Sequence, residues 1–458
     1  MLESRIRDIL GSVRDYARRQ GINAEFTFHR EHSGLIRLGN SAVALSTSEH
    51  LTRLDVVVQA GRRTGAYSLN ADITTEAQVH QALERARENC AASPEKDYQP
   101  IFGVVEASID DTSGFDPRLE ALAEAKTELC AQVVETLKPR GNYDFSGSWS
   151  SGSTEIYLVT TANDHEAYRR LTDGRLVLVL KERAKKWELS VEQSGKDVDA
   201  FSAARAIQEF EELLPVYERN PPFRASLGSQ RAVFGPQAIS QLVMIALYSG
   251  FNGRGWEEKR VFTADKKPGD RVFADSVTLA DDPDDPCVFR MPFDLKGRRR
   301  QRFVLCEHGI FRGLVYDAAT AAKYGKAPTG HDADTTDLVF APGTGPSGIS
   351  AGRRLAGDAL YIPHLHYIHM PNPAQGLMTG SSRFNALRIA GGEFVAPMLS
   401  TRITDSIANI LSNVVAVAPK PVMANVSGTY GRRAPEAMSV PEYLVCDNVR
   451  ISDVADSF

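Results

Sequence analysis

The sequence predicts an α+β protein, with a mixed α/β N-terminal part followed by a strand-rich C-terminal domain of antiparallel sheets. Three observations lead there. Long stretches of helical apolar spacing are concentrated in the first half, at 2–20, 76–92, 116–138 and 198–214. Short alternating segments rich in β-branched residues lie between them. Beyond Asn220-Pro221-Pro222, Gly and Pro rise and strand-sized segments dominate.

In order along the chain, Leu2, Ile6, Ile9, Leu10, Val13 and Ala17 recur at helical spacing, and Gly21 suits the position just past a helix end. Alternating segments follow, broken by Gly34, Gly39-Asn40 and Gly61. LDVVVQAGRRTGAYSLN (54–70) reads as two strands around a turn. Thr75 and Gln78 have capping-box spacing for a helix whose buried stripe is Val79, Leu83, Ala86 and Cys90. Pro94 and Pro100 bracket a linker. Leu119, Leu122, Leu129, Val133 and Leu137 mark a helix that stops before Pro139. Residues 143–192 read as strands, with turns at Asp173-Gly174 and Ser194-Gly195. Phe201, Ile207, Phe210 and Leu214 give the helix over 198–214. In the second half a strand at 231–234 leads to a helix opened by Pro236, and shorter helices at 317–324 and 404–411 interrupt the strands. The expected parts are 1–95, 110–220 and 225–458.

Composition excludes several function classes. A net charge of −5 is not that of a chain built to coat nucleic acid. With 42 % apolar and 24 % charged residues, the chain has enough apolar surface to fold. Nowhere do roughly 18 apolar residues run together, so no membrane span is expected. The segment MLESRIRDIL carries charges where a signal peptide needs an apolar stretch. The five cysteines are odd in number, widely spaced and without a CxxC pair, which fits a cytoplasmic location. Cys90 and Cys130 fall on helical apolar positions and read as small core residues.

No complete catalytic set emerges from the motifs. HExxH or HExxxH on a helix would set two imidazoles on one face for zinc. The only His-Glu pair, His165-Glu166, has no second His within a turn and sits beside a turn at Asn163-Asp164. His364, His366 and His369 form the densest His cluster. On a strand the first two share a face and the third points away. They read as substrate contacts on a polar sheet face, with Arg383 and Asn385 behind them. The alternative, a metal held by His364 and His366, lacks a nearby acidic residue. DDPDDP (281–286) has prolines where a calcium loop needs alternating ligands, and reads as a rigid surface loop. The basic run at 298–302 reads as a solvated hairpin edge. GTGPSG (343–348) lacks GK[ST] and a clear following helix, so it is not a phosphate loop. No GxSxG is present.

Three longer stretches carry a resemblance. They are VTLADDPDDP followed by PFDLKGRRRQRFVLCEHGIFRGLVYDAATAAKYGKAPTGH, then LHYIHMPNPAQGLMTGSSRFNALRIAGGEFVAPM with TDSIANILSNVVAVA, and the early LDVVVQAGRRTGAYSLN. In order and spacing they resemble the TldD/PmbA family, also called the modulator-of-gyrase family. In that family TldD-type chains carry HExxxH on the helix that opens the C-terminal domain, plus a downstream cysteine ligand; TldE/PmbA-type chains lack it. The corresponding helix here, PQAISQLVMIALYSG, contains neither His nor Glu. Near Thr379-Gly380 there is no cysteine, although Met378 and Ser381 are present. The chain therefore resembles a TldE/PmbA-type subunit. The family's Asp-x-Glu-Gly turn is Asp294-Leu295-Lys296-Gly297 here.

The resemblance implies a two-chain cytoplasmic zinc metallopeptidase. The zinc is expected in a TldD-like partner, with none bound by this chain alone. This chain would help hold an unfolded or modified-precursor peptide, and neither nucleic acid nor membrane is an expected partner. Two other readings stay open. One is an independent metal-dependent peptidase using His364 and His366. The other is a non-enzymatic peptide-binding scaffold that forms a homodimer.

Overall fold

The computed structural model describes residues 4–120, 123–332, 336–428 and 432–458. Leu122, predicted on a helix, lies outside the described residues. Strands Asn23–Gly39, Ala42–Ala60, Arg63–Asn70, Tyr143–Thr160 and Glu166–Glu182 pair in the order 63–70, 42–60, 23–39, 143–160, 166–182. Ile109–Gly114 and Glu188–Gly195 share the far edge, the first parallel and the second antiparallel to 166–182. Together they make one seven-stranded sheet. The hairpin at 54–70 forms as expected, with Ala60 opposite Arg63.

Two predicted breaks are absent, and both fall at glycines inside long strands. Gly34 does not interrupt 23–39, because that strand is paired along its length on both sides. Asp173-Gly174 is not a turn but the middle of 166–182. Glycine is required there by close packing, since a Cβ on Gly174 would lie 2.7 Å from the Phe201 ring.

Side-chain alternation divides the sheet into two faces. On one, helices Ser4–Arg19 and Glu76–Ala92 cover Phe26, Phe28, Leu54, Val56, Tyr157 and Tyr168. Further along the same face, helices Ala123–Leu137 and Ala203–Arg219 cover Phe145, Trp149, Leu176 and Leu178. Cys90 and Cys130 are buried in these layers. The helix at 76–92 starts with the predicted capping box: Thr75 accepts from the Gln78 amide, and the Gln78 side chain accepts from the Thr75 amide at 3.0 Å. The helix predicted over 198–214 is displaced. Ser202 caps it, it runs from Ala203 to Arg219, and Phe201 lies outside, packed against Trp149 at 4.9 Å between centroids. Phe201 mimics the helical spacing because the short turn Val198–Ala200 brings it to the same core.

The opposite face of the sheet meets the C-terminal domain. Glu25 receives Lys296 Nζ at 2.7 Å, Arg169 donates to the Phe289 carbonyl, and Asp173 pairs with Arg433. The C-terminal domain contains a six-stranded and a nine-stranded sheet, both mixed and mostly antiparallel. Helix Pro236–Ala246 packs between them, with Ala238, Ile239, Leu242, Val243, Ile245 and Ala246 buried. Pro236 occupies its first position as predicted, and the last turn widens into a π-helix, Leu247–Phe251.

Three readings of polar motifs are corrected by burial. DDPDDP is not wholly a surface loop, because Asp281 is buried on strand Leu279–Asp281. The basic run is not wholly solvated, because Arg300 is buried against that aspartate and Asp337. GTGPSG is followed by a helix, Ile349–Ala356. The Gly348 amide at its start already donates to the Glu442 carboxylate at 2.9 Å, so a protein anion satisfies it. Among the described residues no helix is long and apolar enough to cross a membrane.

Candidate functional site

Strand Ala42–Ala60 is longer than its outer neighbour. Strand 63–70 pairs only with residues 53–60, so among the described residues 42–52 have a strand partner on one side only. Residues 42–50 are all exposed, Val43 and Leu45 included. A sheet edge of this kind offers a row of unpaired N–H and C=O groups. Natural edges are commonly blunted by lysine, proline or a bulge. Residues 42–50, AVALSTSEH, contain neither Lys nor Pro; a register shift bulges the strand between Val43 and Leu45, and residues 46–50 keep regular register.

A polar cavity lies on each face of this edge. One, of about 270 Å³, is lined by Glu31, Arg37, Thr47, Glu49, Arg175 and Arg433. The other, of about 490 Å³, is lined by His32, His50, Glu120, Glu155 and Arg170. There the His32 and His50 rings face each other across the two strands with centroids 4.1 Å apart.

The first cavity is built on buried charge. Arg433 grips Asp173 with Nε to Oδ1 at 2.6 Å and Nη2 to Oδ2 at 2.8 Å, and reaches Ser150 Oγ at 2.8 Å. Its backbone N–H donates to Glu31 at 2.8 Å. Lys126 donates to the Gly34 carbonyl at 3.3 Å; burial, then the Arg433 charge, lowers its ammonium to about 8. From this cavity a polar chain runs to the start of helix 236–246. Arg175 forms a fork with Glu192 at 2.8 and 2.9 Å, and Gln237 Nε2 donates to the same carboxylate at 2.6 Å.

Beyond Gln237 lie the predicted histidines. His364 precedes strand Leu365–Asn372 and His366 lies on it; both rings pack edge-on to Phe384, at 6.1 and 5.4 Å. Burial, then His366 and Arg175, lowers His364 to about 3, and burial lowers His366, aided by Arg383 and Arg175. Both shifts favour the neutral imidazole. His369 is exposed and points away from them, as strand alternation predicts: 366, 368 and 370 are half-buried, while 367 and 369 are exposed. Arg383 lies 3.4 Å from Glu188 and over the Phe384 ring at 4.9 Å. Asn385 exchanges two hydrogen bonds with the Ser190 backbone, at 2.9 and 2.6 Å, tying the N-terminal sheet to the C-terminal domain. The structure thus gathers His364, His366 and Arg383 around Phe384. It leaves His369 aside and commits the Asn385 amide to backbone.

Among the described residues no three His, Cys, Asp or Glu side chains are grouped to hold a metal ion. Helix 236–246 brings no imidazole or carboxylate to the domain centre. The residues present do not fit the zinc site of a TldD-type chain.

The edge and the Arg433–Asp173 pair were not read from the sequence. An unpaired edge depends on the relative length of neighbouring strands, and Asp173 beside glycine mimics a turn.

His29 has its own pH consequence. It is 2 % exposed, its Nε2 has no partner, and burial, with Arg432 and Arg53, lowers it to about 3 from 6.5. The unfolded chain then binds one more proton between those values. Stability present above pH 6.5 should therefore fall as pH drops toward 3, by up to about 1.4 kcal/mol per pH unit from this group. Urea denaturation between pH 7 and pH 5 should show a shallower loss in His29→Gln; an identical slope would refute this role for His29.

The second half of the chain, a helix packed between two sheets, is the part that matches a metallopeptidase family. Residues 227–453 match the family model described as PmbA/TldA metallopeptidase C-terminal domain. Through this domain the chain belongs to the TldD/PmbA family. In fold it is similar to TldE from Thermococcus kodakarensis, with a TM-score of 0.79, 15 % identity, and 97 % of this chain and 100 % of that chain covered. It is similar also to a candidate modulator of a DNA gyrase from Thermotoga maritima, with a TM-score of 0.78, 14 % identity, and 98 % and 100 % covered. An uncharacterised protein of Methanocaldococcus jannaschii is 28 % identical over 100 residues, which span 22 % of this chain and 24 % of that relative.

Proposed function

We propose that this chain is a TldE/PmbA-like subunit of a two-chain cytoplasmic zinc metallopeptidase. It holds an unfolded or modified-precursor peptide while a TldD-like partner supplies the metal site. The observation that carries the reading is the free edge 42–50 with a polar cavity on each face. A peptide added to this edge gains main-chain hydrogen bonds that do not depend on its sequence. Its alternate side chains fall into the two cavities. His364, His366, His369 and Arg383 are the further substrate contacts we assign, and Asn385 positions the strands around them. The missing imidazoles on helix 236–246 agree with a metal held by the partner chain.

The test is reconstitution with a chain bearing HExxxH. Cleavage of an unfolded peptide is expected only in the mixture. Ser46→Pro and Thr47→Pro are then made separately, since adjacent residues turn their N–H groups to opposite edges. The variant that keeps the wild-type Tm should lose at least about tenfold in kcat/KM, roughly the loss of one or two main-chain hydrogen bonds. Cleavage by this chain alone with stoichiometric zinc would establish an independent peptidase instead. A stable homodimer that never joins the partner would establish a scaffold.

A further inference from the structure

A second crevice, away from the free edge, lies between the two halves of the chain. It encloses about 550 Å³ between helix 203–219 and strand 188–195 on one side and helix 349–356 and strands Ala359–Ile362 and Glu393–Pro397 on the other. Two carboxylates, Glu209 and Glu212, line it one turn apart on the same helix. Its other walls combine Val191, Leu213, Ile349 and the Tyr361–Phe394 pair, 5.1 Å between centroids, with the polar side chains of Ser190, Ser350, Arg353 and Asn385.

Glu209 is the unusual member. It makes no hydrogen bond or ion pair among the described residues, and neither does the hydroxyl of Tyr361. The nearest cation on its own helix, Arg205, is bonded instead to the Ala200 carbonyl. Arg353, across the crevice, is held by Glu393 at 2.9 Å and lies over the Phe394 ring at 4.7 Å. Among the described residues Glu212 is bonded only to Gln208, at 3.1 Å. Burial, reinforced by Glu212 and opposed by Arg205, raises Glu209 to about 7, so near neutral pH it is poised between its two forms. A half-buried carboxylate without a partner is unfavourable unless something else satisfies it. Perturbed acids in clefts mark binding sites more often than chance.

We propose that this crevice binds a primary ammonium group carried on an apolar body. Glu209, Glu212 and the Tyr361 oxygen supply three acceptors for the three N–H donors, and the Phe394 and Val191 walls take the body. Because the walls come from both halves, occupancy ties the N-terminal sheet to the C-terminal domain. The inference does not rest on the peptide-edge reading, which uses none of these five side chains.

An alkylammonium ion and the amino terminus of a peptide share this chemistry, so the test carries both. Calorimetric titration of the full chain uses n-butylammonium and Leu-Gly-Gly, with 1-butanol and N-acetyl-Leu-Gly-Gly as uncharged counterparts. Saturable millimolar binding of at least one amine is expected, with no binding of its counterpart. Which amine binds decides the source. Glu209→Gln, nearly isosteric, should keep its Tm and weaken binding at least about tenfold, the loss of a charge-assisted hydrogen bond. Tyr361→Phe should weaken it less. Wild-type binding should also weaken as pH falls from 7 to 6, and this dependence should disappear in Glu209→Gln. Equal binding of the uncharged counterparts, unchanged affinity in Glu209→Gln, or no binding of either amine in the millimolar range would each overturn the proposal.

Discussion

Arg300→Ala is expected to destabilise the protein by about 3–5 kcal/mol, the range for removing one partner from a buried ion pair. The Arg300 side chain is 1 % exposed and bridges two carboxylates that are themselves buried. It reaches Asp337 Oδ2 at 2.8 Å and the Met291 carbonyl at 3.1 Å, and bonds Asp281 through its other terminal nitrogen. Backbone amides complete the network: Asp337 N–H donates to Asp281 at 2.7 Å, and Met291 N–H to Asp337 at 2.9 Å. Burial opposes ionisation of Asp281, but Arg300, with His331 at 3.2 Å, outweighs it and holds that carboxyl below its usual range. Removing the guanidinium leaves two buried carboxylates facing each other without the cation that bridges them, with only the Arg169 charge still acting on Asp337. Arg300→Lys should recover part of the loss, because it restores charge but not the fork. Urea denaturation at pH 7 measures both variants; an Arg300→Ala loss below about 1 kcal/mol, the range of an exposed pair, would contradict this account.

The second large effect is expected at Arg433. Its side chain and that of Asp173 are 3 % and 1 % exposed, and they join segments 260 residues apart across the interface between the sheet and the C-terminal domain. Arg433→Ala should cost about 3–5 kcal/mol, since Asp173 stays buried without its partner. Asp173→Asn alone should also destabilise, because the Arg433 charge is then uncompensated. The double variant should lose clearly less than the sum of the two, with a coupling energy of about 1–3 kcal/mol. Strict additivity would show that the pair does not act as a unit. The interface should also loosen before the chain unfolds, so limited proteolysis of Arg433→Ala should cut between the sheet and the C-terminal domain under conditions where wild type resists.

Much of the fold was legible locally. The helix at 76–92 was placed by Thr75, Gln78 and a regular apolar stripe, because capping and periodicity act within a few residues. Pro236 marked the start of the central helix for the same reason. The misread segments share a different cause. Asp173-Gly174 has the composition of a turn, yet its aspartate is buried by an arginine far along the chain and its glycine by the Phe201 ring. Phe201 has helical spacing but reaches the core from a preceding short turn. Asp281 and Arg300 look like solvated charges until each becomes the other's partner.

For the candidate site the division is similar. The sequence by itself determined the α+β class, most element positions, the TldD/PmbA resemblance, and the lack of His and Glu on the helix that would carry a metal. These follow from residue type and short-range spacing. Only the tertiary structure decided that residues 42–50 are a free edge, and that Arg433 and Asp173 meet beside it. Strand lengths and long-range pairs set those features. Each depends on which distant segment lies alongside, and desolvation then decides whether a charged side chain faces water or a partner.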